Sequence, residues 1–290
     1  MDSMVNLGAN HKVGIIIQAR MGSSRLKGKI LLKLPFYGKE SVLEQIIKRA
    51  KAVENANEVW VASSINAENQ VLEPLLKDKC ALYRGDEDDV LSRFYEIAKA
   101  QHFDTIVRLT ADNPCFDPIY IQKAIDAHIQ AAADYTYTKG LPLGMNVEVL
   151  SFRALETAFQ NATSTEEKEH VTPYVTKKPE QFRLHYPIFF ENEVYSDWRL
   201  TMDTQTDYAL MCLLYENLYL QNPIFGFKAI SPFIETNPWV LLINKENRQK
   251  KIYASFSQEV EDVKILLKNE GFMHTLKVIE NEAAQLEFPH

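Results

Sequence analysis

The run Gly14-Ile15-Ile16-Ile17 gives way within a few residues to Arg20-Met21-Gly22-Ser23-Ser24-Arg25-Leu26-Lys27-Gly28-Lys29. A β-branched apolar run this short reads as a buried strand, and Val13–Gln18 is assigned to it. The loop behind it carries two glycines, two serines and four basic side chains. Gly and Ser let backbone N–H groups approach an anion closely, and Arg and Lys neutralise it. Such a loop after the first strand of an α/β sheet is suited to a polyphosphate. The spacing excludes a Walker A loop. Five residues separate Gly22 from Gly28, one more than that motif allows, and Ile30 stands where it needs a hydroxyl. From local features alone, a solvated basic turn stays open.

Further along, apolar runs alternate with amphipathic patterns. Strands are expected at Glu58–Ala62, Ala81–Arg84 and Thr105–Leu109. Helices are expected at Val42–Ala52, Asn69–Lys77, Val90–Gln101 and Pro118–Ala133. Alternation with short connections implies parallel pairing and right-handed crossovers. Ligands of such sheets bind beyond the C-terminal strand ends, so the loops after Gln18, Ala62, Arg84 and Leu109 should line one crevice. After Tyr137 the pattern loosens. Strands are read at Asn146–Leu150, Arg183–Phe190 and Trp198–Met202, and helices at Phe152–Asn161, Glu167–Lys177 and Thr204–Leu220. From Asn222 the chain is helix-rich, with Gly271 between two helical patterns.

A length of 290 residues with 46% hydrophobic and 24% charged residues suits one large soluble domain with a smaller appendage. The net charge of -7 argues against general nucleic-acid binding, which rests on basic surface. No apolar run approaches a membrane span, and no signal peptide is evident, so no membrane partner is expected. Cys80, Cys115 and Cys212 lie apart without metal-ligand spacing, which suggests reduced thiols and a cytoplasmic protein. Residues 1–12 read as a polar, disordered leader.

Two acidic residues stand out by placement. Asp112, in Thr110-Ala111-Asp112-Asn113-Pro114, follows an expected strand, and Asp203 lies between an expected strand and a helix. Either alone could cap a helix. Together, opposite the basic loop, they could hold Mg²⁺ against a nucleotide.

Ile17-Gln18-Ala19-Arg20-Met21-Gly22-Ser23-Ser24-Arg25-Leu26 resembles the opening motif of bacterial cytidylyltransferases. The nearest group is the spore-coat-polysaccharide type, related to CMP-Kdo and CMP-sialate synthetases. The resemblance continues through Tyr83–Arg93, Val107–Pro114, Gly144–Val149, Glu169–Tyr174 and Arg199–Thr204, in the family's order. It covers about three quarters of the chain, roughly Val13 to Leu220.

The resemblance implies an α/β fold with a Rossmann-like, mostly parallel sheet and flanking helices. It implies a nucleotidyltransferase domain over 13–221, an inserted dimerisation or acceptor lobe at about 139–197, and a helical C-terminal extension over 222–290. It further implies a homodimer that transfers CMP from CTP to an acidic, sugar-like acceptor for surface glycan synthesis. Arg20, Ser23, Arg25 and Lys29 would bind the triphosphate, with the amides around Ala19, Gly22 and Ser24 completing the cradle. Asp112 and Asp203 match the family's Mg²⁺-binding carboxylates. Ser63, Arg84 and Gly85 match segments near the cytosine. Glu148, Glu169 and His170 fall where the acceptor pocket or dimer contact forms, and Arg108 could pair with an acceptor carboxylate.

Three positions depart from the pattern: Lys27 for a proline, Ala111 for a glycine and Gln205 for a proline. Two other readings stay open. Asp86-Glu87-Asp88 has the letters of the Asp-x-Asp metal motif of nucleotide-sugar glycosyltransferases. A non-catalytic, nucleotide-binding homologue would use the C-terminal segment for docking.

Overall fold

Strand β1 (Val13–Gln18) is an interior strand of a seven-stranded sheet, flanked by β2 (Glu58–Ser64) and β4 (Thr105–Thr110), both parallel to it. β3 (Ala81–Gly85) extends the parallel half beyond β2. On the other side β6 (Glu148–Ser151) runs antiparallel to β4, then come β5 (Tyr135–Tyr137) and β7 (Leu184–His185). The order is β3-β2-β1-β4-β6-β5-β7. The computed structural model describes residues 11–23, 25–191, 193–247 and 256–285.

Strand alternation sends successive side chains to opposite faces, and each face has its own core. Val13, Ile15, Ile17, Val107, Leu109, Val147 and Val149 face one side. Helices α1 (Val42–Lys51) and α4 (Pro118–Gln130) cover that face. Between them in sequence comes the short helix α2 (Leu72–Leu76), and α3 (Val90–Ala100) packs on the opposite face around Ile16, Ala62, Ile106 and Leu150. Also on that second face are α5 (Phe152–Asn161) and the short α7 (Pro173–Thr176), which follows α6 (Thr165–His170). After α8 (Glu193–Ser196), helices α9 (Gln205–Leu218) and α10 (Phe227–Thr236) complete the first face.

The parallel half follows the sequence expectation closely, and the later half departs from it. The helix expected over Glu167–Lys177 is two helices, broken at Val171, whose φ is 70°. Pro173 has no N–H to continue the first helix and opens the second. The strand expected over Arg183–Phe190 shrinks to Leu184–His185 plus one bridge at Ile188, with Pro187 unable to donate between them. Trp198–Met202 is an extended strap, with one bridge from Arg199 to Leu143. Met202 N–H donates to Asp112 carbonyl at 2.8 Å, so this strap binds both neighbours without joining a ladder.

Of the segment 139–197 expected as an inserted lobe, β6 is an interior strand of the main sheet and α5 packs on α3. The first compact unit runs to Asn247, past the boundary expected at 221. Phe225, Phe227, Ile230, Ile234 and Val240 are buried in its core, because the face above α1 and α9 needs covering. The second unit begins at Arg248. It contains α11 (Phe256–Asn269) and α12 (Met273–Gln285), joined at Gly271 with φ 76°. The leader expected over 1–12 lies outside the described residues up to residue 10. No described helix is long and apolar enough to cross a membrane.

Candidate active site

The loops after β1, β2, β3 and β4 all leave the C-terminal ends of parallel strands, where a doubly wound sheet opens its crevice. The first loop is tied down from the second strand. Met21 N–H donates to Asn69 Oδ1 at 2.8 Å, and Asn69 Nδ2 donates to Ser64 Oγ at 2.7 Å. Asn69 is fully buried, so this anchor is rigid. Ala19 N–H donates to the Ala62 carbonyl at 3.0 Å, and Ser23 Oγ accepts from Leu26 N–H at 3.4 Å. Gly22 is exposed in this loop, and Ser24 lies outside the described residues.

Gly28 then turns the chain with φ 63°, a conformation that glycine adopts without strain. The following 3-10 turn, Lys29–Leu31, buries Ile30 and points Lys29 back across the sheet. Lys29 Nζ donates to Asp112 Oδ2 at 3.1 Å, to Asp203 Oδ1 at 3.0 Å and to the Met202 carbonyl at 3.0 Å. The two carboxylates expected to act together therefore meet at one ammonium. Arg25 Nη2 reaches Asp203 Oδ2 at 3.2 Å.

A second layer holds Asp203. Arg199 Nη2 donates to Asp203 Oδ2 at 2.9 Å, and its Nε donates to Asp207 Oδ1 at 2.9 Å. Asp207 also accepts from Asn244 Nδ2, Asn247 Nδ2 and the amides of Asp203 and Thr204. Burial alone would raise its pKa, but these donors outweigh burial and hold it at about 2. Burial would raise Asp203 as well, and Lys29, Arg199 and Arg25 bring it below the usual carboxylate value. Thr110 Oγ1 donates to Asp112 Oδ1 at 2.6 Å. Arg199, Asp207 and Thr110 were not among the site residues expected from the sequence. The available signal was the charged block itself, which sets Arg199 and Asp207 each four positions from Asp203.

Arg20 lies on the other side of the loop. Its guanidinium reaches Glu87 at 3.1 Å and Glu169 of α6 at 3.5 Å, linking the loops after β1 and β3 to that helix. His170 is half-buried at the end of α6. Arg108 and Glu148, opposite one another on β4 and β6, form an ion pair. Arg108 Nη2 also donates to Gln18 Oε1 at 3.0 Å. Glu148 accepts from Tyr135 Oη at 2.7 Å and Thr172 Oγ1 at 3.0 Å. Burial and the Glu148 charge push the Tyr135 phenol up, which keeps it a neutral donor. Arg108, expected as a partner for an acceptor carboxylate, is thus paired within the protein.

Arg84 staples the loop after β2, donating to the carbonyls of Ser64, Ile65 and Asn66 at 2.9 to 3.0 Å, and it pairs with Glu73. Ser63 is fully buried, and its Oγ has no hydrogen-bond partner among the described residues. A Cβ at Gly85 would sit 2.8 Å from Cγ of the buried Arg93, so only glycine lets that arginine pass. Neither Ser63, Arg84 nor Gly85 joins the Lys29 cluster. In the Asp86–Asp89 stretch, Asp86 Oδ1 accepts from the amides of Asp88 and Asp89, and Asp89 caps α3. Two of these acids thus serve the turn and the helix end, the ordinary use of Asp there.

The sequence model of the family described as Cytidylyltransferase matches residues 14–239. An uncharacterised protein of Methanocaldococcus jannaschii is 38% identical over 239 residues, covering 81% of this chain and 95% of that protein. The spore coat polysaccharide biosynthesis protein SpsF of Bacillus subtilis is 34% identical over 229 residues, covering 77% of this chain and 94% of its own length. A cytidylyltransferase structure from Leptospira borgpetersenii is similar with a TM-score of 0.73 at 28% identity, covering 84% of this chain and 99% of that one. The matched span takes in the anchored loop, the Lys29–Asp112–Asp203 cluster and the strap behind it, and the chain belongs to the cytidylyltransferase family.

Proposed function

We propose that the protein transfers CMP from CTP to a hydroxyl of an acidic, sugar-like acceptor and releases pyrophosphate. The convergence of Lys29, Arg25, Asp112 and Asp203 at the strand ends carries this reading. The acceptor oxygen bonds to the α-phosphorus, the bond to the β-phosphate oxygen breaks, and pyrophosphate leaves. Such a transfer depends on positioning and charge neutralisation more than on covalent catalysis.

Arg20, Arg25 and Lys29 bind the triphosphate and offset charge that builds on the leaving pyrophosphate. The backbone at Gly22 contributes the cradle, since the Ala19 and Ser23 amides already donate to the Ala62 and Met21 carbonyls. Asn69 keeps that cradle at a fixed distance from β2. Arg199 and Asp207 fix the rotamer of Asp203 from behind. The segments of Ser63, Arg84 and Gly85 contact the cytosine side. Gln18, Arg108 and Glu148, with Glu169 and His170 nearby in the chain order of α6, form the acceptor side.

Asp112 and Asp203 suit a divalent metal such as Mg²⁺, since two carboxylates from separate loops already face one cationic atom. A metal held there would polarise the phosphate and lower the pKa of the attacking hydroxyl. Likeness to SpsF supports a role in surface polysaccharide synthesis. A cytoplasmic homodimer belongs to the same reading, with the exposed Ile188 beside edge strand β7 offered as the contact.

The test is pyrophosphate release with Mg²⁺, comparing CTP, UTP, ATP and GTP against a panel of acidic sugars. CTP-dependent release with one acceptor establishes the reaction. Absence of CTP binding by calorimetry sinks it.

A further inference from the structure

Lys29 is more completely satisfied than a side chain waiting for an anion. Its three ammonium protons have three acceptors at 3.0 to 3.1 Å, and the side chain is only 12% exposed. Gly28 and the turn after it direct the side chain there, with Ile30 buried beneath. The outer oxygens of the two carboxylates are engaged as well. Asp112 Oδ1 takes the Thr110 hydroxyl, and Asp203 Oδ2 takes Arg199 and Arg25.

Charge is balanced within this cluster. Among the described residues, Asp112, Asp203 and Asp207 face Lys29, Arg25 and Arg199, three carboxylates against three cations. A lone divalent ion would have to displace an ammonium from between its own ligands and would leave the cluster with excess positive charge. A metal–triphosphate complex is still net negative. It offers Lys29 and Arg25 new oxygens at the moment the carboxylates are given up.

Building on the reading of the site given above, we propose that Lys29 is the internal counter-ion of the metal seat, so that divalent metal enters only with the nucleotide. Lys29 thereby performs two tasks in turn. In the free protein it holds Asp112 and Asp203 together against their mutual repulsion. With nucleotide bound it moves to the phosphates and leaves both carboxylates to the metal. The order of binding follows from the charge balance of the cluster, and the reaction is protected from metal bound without substrate.

Manganese binding to the full chain tests this, measured by titration calorimetry on wild type, wild type with CTP, and Lys29→Met. Titration of CTP alone supplies the blank. Lys29→Met keeps the aliphatic stem and removes the charge; Lys29→Gln is the second variant should the first not fold. Without nucleotide, the neutral variant is expected to bind Mn²⁺ at least roughly tenfold more tightly than wild type. Wild type should bind Mn²⁺ strongly only when CTP is present. Equal Mn²⁺ affinity of wild type and the folded neutral variant overturns the counter-ion role. Absence of Mn²⁺ binding in every protein, CTP included, instead overturns Asp112 and Asp203 as a metal pair, and this proposal with it.

Discussion

Lys29 Nζ lies 3.0 Å from Asp203 Oδ1, though 174 positions separate them in the chain. The contact joins the loop after the first strand to the strap before α9, and Asp112 enters from β4 between them. Removing the Asp203 charge therefore affects both chemistry and folding. Asp203→Asn is expected to lower turnover on the order of a hundredfold or more. It should also destabilise the protein by about 2 kcal/mol, because Lys29, Arg25 and Arg199 lose a shared counter-ion. Pyrophosphate release and urea unfolding measure the two effects. Near-normal turnover would remove Asp203 from the site.

Asp207 sets a pH dependence. Its carboxyl is lowered from the ordinary 3.8 to about 2 in the folded protein. A depressed folded value contributes stability above the unfolded value, lost as pH falls through the folded one. Asp207 thus supplies about 2 kcal/mol above pH 4, and this disappears between about pH 4 and pH 2. Asp207→Asn is expected to be less stable at pH 7 and to show a smaller loss across that acid window. Parallel urea curves at pH 7, 4 and 2 would show it, and an unchanged acid slope would contradict it.

The pair Arg108–Glu148 predicts a non-additive double mutant. Both side chains are largely buried, at 14% and 15% exposure, so either one left alone is an uncompensated charge. Arg108→Met is expected to cost about 3 kcal/mol. Adding Glu148→Gln should restore at least about 1 kcal/mol, since the amide still accepts from Tyr135 and Thr172. A double-mutant cycle by thermal and urea unfolding measures the coupling. Simple additivity would mean that the two charges are solvated.

Two truncations separate the possible ends of the first unit. A chain stopped after Asn247 keeps Phe225, Phe227, Ile230, Ile234 and Val240 and should fold and bind CTP. A chain stopped at 221 loses all five from one apolar layer. At about 1.5 to 3 kcal/mol for each large apolar side chain buried, that loss exceeds the stability of an ordinary domain. Circular dichroism and calorimetry on both chains decide it. A well-folded 1–221 chain would show that α10 is dispensable.

Much of the parallel half was legible because its signals are local. Val13–Gln18 and Val90–Ala100 lie within one residue of expectation, since an apolar run and a 3.6-residue stripe need no knowledge of partners. Thr204 caps α9 as its sequence suggests, with Asp207 completing a capping box. The later half was harder to read. The three residues of β5 carry too few alternations to register, and they are a strand only because β6 and β7 offer edges. Trp198–Met202 has strand letters but neighbours that pair with it at one point.

The chain by itself determined the anion-friendly loop, the alternation of strands and helices in the parallel half, and the residue types able to neutralise phosphate or hold a metal. Tertiary structure alone decided which of them share a charge. Lys29 meets Asp112 and Asp203, Arg108 is spent on Glu148, Arg84 on the loop after β2, and Arg20 on Glu87 and Glu169. Helix and strand patterns repeat over a few residues and can be read along the chain. Ion pairing depends on distance in space, and the register of β1 on β4 and the path of the 198–203 strap set that distance.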